Sequence, residues 1–134
     1  MLLSLLNKEE KIYFIELVRK LIAIDGVVTD VEKAIVTKLR LEMGEDLEKA
    51  KSLKLDKNKL IEYFVNKTDS VKKIVFMNLL SASMQDEWYN VEQHLFLTEV
   101  QNQFLISDKT KKELMKIVYS ERDLREKARR LIQQ

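Results

Sequence analysis

Between Ile12 and Val18 the chain reads Ile-Tyr-Phe-Ile-Glu-Leu-Val, and between Ile74 and Leu80 it reads Ile-Val-Phe-Met-Asn-Leu-Leu. Each run is apolar on more than the single stripe of a surface helix, which predicts two helices at the centre of a bundle. Two other segments carry one stripe at helical spacing: Val31, Ile35, Leu39 and Met43 in the first, Phe96, Val100 and Phe104 in the second. Helix starts are marked by short polar side chains that can accept from the free amides of a first turn. Asn7 with Glu10 three residues on has the form of a capping box, and Thr29 with Glu32 repeats it. Asp56, Asp69, Asn90, Ser107 or Asp108, and Ser120 are the further candidate caps. The pattern predicts helices over 8–24, 30–43, 57–66, 70–84, 91–105, 109–119 and 121–132, with a short turn over 46–51. The expected core holds Phe14, Leu17, Leu21, Ile35, Leu39, Phe76, Leu79, Leu80, Val100 and Phe104.

Composition narrows the class to all-α. There is no proline, and Gly26 and Gly44 are the only glycines, so little in the chain would seed tight hairpins. At 134 residues and 46% apolar content the chain reads as one domain, 1–134, with enough core to fold without disulfides. The absence of cysteine removes thiolate chemistry and Cys-based zinc sites. The opening Met-Leu-Leu-Ser-Leu-Leu is too short for a secretory leader, and no apolar run reaches the roughly 18 to 20 residues of a membrane span. These features predict a soluble, cytoplasmic protein.

Net charge is only +2, but it is unevenly spread. Residues 49–73 hold eight lysines against three acids, and residues 107–134 hold nine basic against five acidic side chains. Between them, residues 74–106 carry Asp86, Glu87, Glu92 and Glu99 with no lysine or arginine. One acidic and one basic surface region are therefore expected.

The order of elements repeats at an offset of 61 residues: a buried helix, a loop, then an amphipathic helix. Asp25 aligns with Asp86, Thr29 with Asn90, Glu32 with Gln93, and Ile35, Val36, Leu39 and Met43 with Phe96, Leu97, Val100 and Phe104. The segment Asp25-Gly26-Val27-Val28-Thr29-Asp30-Val31-Glu32, following a hydrophobic helix, resembles the motif of the TerB-like family, the tellurite-resistance protein B group of small helical domains. The resemblance covers roughly Leu5 to Val118. It implies a compact bundle of about seven helices in two pseudo-symmetric halves, an acidic surface around the two interhelical loops, and a role in stress response. The second loop departs from the motif, with Glu87 in place of the glycine and Gln93 in place of the glutamate.

Two readings of the acidic loops follow. Asp30 and Glu32 suit the first turn of a helix, where negative charge favours the positive end of the helix dipole. Asp25, at the end of the preceding helix, gains nothing from that dipole and would be relieved by a cation. The alternative is therefore a low-affinity calcium or magnesium site assembled from Asp25, Asp30, Glu32, Asp86 and Glu87, unlike an EF-hand in its spacing. Trp88 and Tyr89 beside Glu92 are either plugs at the bundle end or anchors for a protein partner. His94 is the sole histidine, and no nucleophile elbow or glycine-rich phosphate loop accompanies it, so a non-enzymatic module is expected. The most consistent reading is a TerB-like interaction module acting through its acidic face. The alternative is a nucleic-acid-binding or regulatory domain using the basic segments 49–73 and 107–134.

Overall fold

Asn7 begins the first helix as its sequence predicts: its Oδ1 accepts from the Glu10 amide at 2.8 Å, and the Glu10 carboxylate accepts from the Asn7 amide at 2.9 Å. The structure is a computed structural model describing residues 1–24, 30–43, 53–84 and 91–134. Among these residues a short 3-10 turn over Leu3–Leu5 precedes six α-helices. They are α1 (Lys8–Ile22), α2 (Asp30–Met43), α3 (Lys57–Val65), α4 (Asp69–Met84), α5 (Val91–Gln103) and α6 (Asp108–Ile132), and no strand occurs among the described residues. Asp56 and Ser107 cap α3 and α6 by accepting from the Lys59 and Thr110 amides. The predicted caps Thr29 and Asn90, the stop at Gly44 and the turn over 46–51 lie outside the described residues.

Two predicted boundaries are corrected. The start of α4 is served by Thr68, whose Oγ1 accepts from the Val71 amide at 3.3 Å, while Asp69 is already helical. Ser120 is not a cap, and the two helices expected over 109–119 and 121–132 are one. Nothing at Ser120 stops the helix, because Glu121, Arg122 and Leu124 beyond it are helix formers and the Glu121–Arg125 pair, at 2.9 Å, braces that turn.

The packing follows from the two apolar runs. In α4 every residue from Ile74 to Leu80 is buried, and in α1 the same holds from Phe14 to Val18. Such helices need neighbours on several sides: α1 packs against α2, α3, α4 and α5, and α4 against α1, α3, α5 and α6. All ten residues of the expected core are buried. Phe76 sits at the centre with no solvent exposure. Phe76→Ala should lower the unfolding free energy by about 3–5 kcal/mol in denaturant titration, and a loss below about 1 kcal/mol would show that α4 is not the central helix.

Buried polar groups fix how the helices meet. Lys11 is buried on α1, and its ammonium donates to the Met43 carbonyl at the end of α2, at 3.0 Å, where the helix dipole favours positive charge. Asn78 of α4 donates through Nδ2 to the carbonyls of Met1 and Ile74, both at 2.8 Å. It thereby holds the N-terminal segment against the bundle. Between α1 and α3 the rings of Tyr13 and Tyr63 stack with centroids 3.6 Å apart, and the Tyr63 hydroxyl donates to Glu9 at 2.8 Å. The Lys67 ammonium lies 4.8 Å from the centre of the Tyr63 ring. Burial of the phenol, then the Glu9 carboxylate that accepts its hydrogen bond, raise the Tyr63 pKa well above its ordinary value of 10.0.

A raised phenol pKa contributes stability that is complete below pH 10 and declines as the pH climbs from there toward the folded-state pKa. Thermal melts of the parent and Tyr63→Phe should therefore run parallel up to about pH 10, above which the parent alone loses this contribution. An identical alkaline decline in both proteins would contradict the assignment. No described helix is long and apolar enough to cross a membrane.

Candidate interaction surface on α5

The residues expected to form a site divide into two groups. Asp25, Asp86, Glu87, Trp88, Tyr89 and the side chain of Glu32 lie outside the described residues. Asp30 opens α2 and Glu92 lies in the first turn of α5, and both are exposed. Among the described residues no group of three or more acidic or histidine side chains could hold a metal ion.

Around Glu92 the structure shows a surface that the sequence pattern does not single out. The inward face of α5 carries Gln93, Phe96, Leu97, Val100 and Gln101, all buried. Opposite them, Val91, Leu95, Thr98 and Asn102 recur with gaps of four, three and four residues, which aligns them along the outer face of the helix. Val91 and Leu95 are 73% and 61% exposed. Glu92 and Glu99 flank this stripe on one side. Glu99 is paired with Lys57 of α3 at 2.7 Å, whereas Glu92 has no ion pair among the described residues.

The next step of the same spacing is Leu105, where the helix has just ended. The Ile106 amide donates to the Gln101 carbonyl at 3.1 Å and the Leu105 amide to the Asn102 carbonyl at 3.2 Å, the bonding pattern of a Schellman cap. This cap requires a left-handed residue, ordinarily glycine, and Leu105 fills it with φ 56°. The leucine is nevertheless 88% exposed, so it recovers almost nothing by burial. Gln101 secures the corner from inside, donating to the Ile106 carbonyl at 3.1 Å and to Asp108 at 2.9 Å.

His94 lies on the other edge of α5, facing a cleft of about 320 Å³ between α4, α5 and α6. The cleft is lined mainly by Leu80, Met84, Leu97, Met115 and Tyr119. Its hydroxyl from α4, Ser83, donates to the Leu80 carbonyl at 2.8 Å within its own helix. No family model, curated protein or solved structure matches the chain at a significant level.

The strain at Leu105 is measurable. Leu105→Gly removes the left-handed penalty and forfeits no packing, so the monomer should gain about 1 kcal/mol in denaturant titration. A loss of stability instead would mean that the leucine side chain supports the fold.

Proposed function

We infer that the protein is a non-enzymatic, TerB-like helical module of stress response that works by docking a protein partner on the acidic outer face of α5. The observation that carries this reading is the exposure of Val91, Leu95 and Leu105 at helix-pairing spacing beside Glu92, which has no ion pair among the described residues. Isolated surface leucines need no explanation, but an aligned set ending in a strained, exposed leucine does. The helix order also supports it: a buried helix followed by an amphipathic one occurs as α1–α2 and again as α4–α5, the arrangement expected of two pseudo-symmetric halves. A nucleic-acid surface on α6 is disfavoured by the pairing of Arg125 with Glu121 and of Arg129 with Glu126.

The test places a photo-cross-linking residue at position 95 in the native cell, with a second variant carrying it at the exposed Lys33 of α2. Position 95 should give discrete protein adducts that Glu92→Arg depletes roughly tenfold, a rim-charge effect on a docked complex. Equal labelling at positions 95 and 33, or adducts indifferent to Glu92→Arg, would sink the docking reading.

A further inference from the structure

The longest helix leaves most of its surface without a neighbour. α6 runs 25 residues, roughly 37 Å at 1.5 Å per residue, yet Val118 is its only fully buried side chain. Beyond Arg122 every residue is exposed except Arg125 and Glu126. On this distal half Leu124, Ala128 and Leu131 continue a stripe begun by Ile117 and Glu121, with gaps of four, three, four and three residues. Leu124 is 67% exposed and Leu131 62%. A stripe this narrow is a helix-pairing seam rather than the broad apolar face that lies in a lipid surface. The segment beyond Glu121 holds five basic against two acidic side chains: Arg125, paired with Glu121, borders the stripe on one side and Lys127 on the other, and neither Lys127 nor Arg130 has an ion pair among the described residues.

The outer face of α5 carries the same gaps, four, three, four and three, from Val91 to Leu105, with Glu92 and Glu99 along one flank and no lysine or arginine anywhere on the helix. The two seams therefore match in spacing and oppose in charge. They belong to different faces of one chain, since α6 packs on α4 while its distal half lies clear.

We propose that the occupant of the α5 face is a second copy of this chain, which lays the distal half of its α6 antiparallel along α5. This rests on the docking reading above and supplies its partner. With Leu95 set against Leu124 of the second copy, Val91 meets its Ala128, Thr98 its Glu121, and Glu92 joins its Glu121–Arg125 pair from the Arg125 side. The parallel alignment of the same seams would set Glu92 beside Glu113, so charge selects the antiparallel one. The contact is head-to-tail, using one surface from each copy.

That asymmetry gives the experiment. Sedimentation velocity over a concentration series should show the parent associating reversibly. Glu92→Arg should weaken association at least tenfold or so, and so should the double variant Glu121→Arg/Arg125→Glu, which keeps the intrahelical pair with its sign reversed. Because each variant alters only one side of the contact, a mixture of the two should recover association to the parent level. Leu124→Ser should also weaken association without changing the melting temperature at low concentration, which separates docking from folding.

A parent that stays monomeric at every concentration overturns the proposal, as does a mixture that associates no better than its components. The cross-linking at position 95 then distinguishes the two readings. Adducts with a different protein leave the docking surface standing and remove the second copy as its occupant, while no adducts at all remove both.

Discussion

The bundle depends on burying two helices that are apolar nearly all round. Seven consecutive residues of α4 and five of α1 are withdrawn from water, and no single partner helix can cover such a surface. The other helices are arranged by that need. α2 and α3 cover α1, α6 covers α4, and α5 lies where it touches both. Each covering helix spends one face on the core and leaves the opposite face in solvent. The exposed seam of α5 is a consequence of this arrangement before it is anything else.

Buried polar side chains give the packing its orientation. Lys11 reaching the last carbonyl of α2, Asn78 holding Met1, and Gln101 tying α5 to the start of α6 each satisfy backbone groups that would otherwise be left unpaired. Gln101 bears most directly on the α5 surface, because it fixes the corner at which Leu105 is held left-handed and exposed. A glycine there would serve the turn better. The side chain presented at that point is therefore the feature that folding alone does not explain.

Charge separates the two free surfaces. The stretch from 74 to 106 lacks lysine and arginine, and among the described residues the one ion pair made by α5 is that of Glu99 with Lys57 of α3. On α6 the acids are interleaved among the arginines and neutralise several of them, leaving Lys127 and Arg130 on the open side. Opposite charge on seams of equal spacing favours their meeting, and it disfavours either seam pairing with its own kind.

The helical class, the two central helices, the ten core residues and the caps at Asn7 and Asp56 were legible in the sequence, and the cap of α6 was narrowed there to Ser107 or Asp108. These depend on local spacing and on a side chain reaching its own next turn, and both are written within a few neighbouring residues. The continuity of α6 through Ser120 was not legible there, because serine is compatible with a cap and with a helix interior, and only the surrounding turns decide between them. Nor was the α5 surface. The spacing of Val91, Leu95, Thr98, Asn102 and Leu105 is present in the sequence, but it looks like a second core stripe until the fold assigns Phe96, Leu97 and Val100 to the interior. The strain at Leu105 was hidden for the same reason. A residue's φ is set by where the next helix must go, and that direction is decided by α6 packing on α4, a contact that no local stretch of sequence contains.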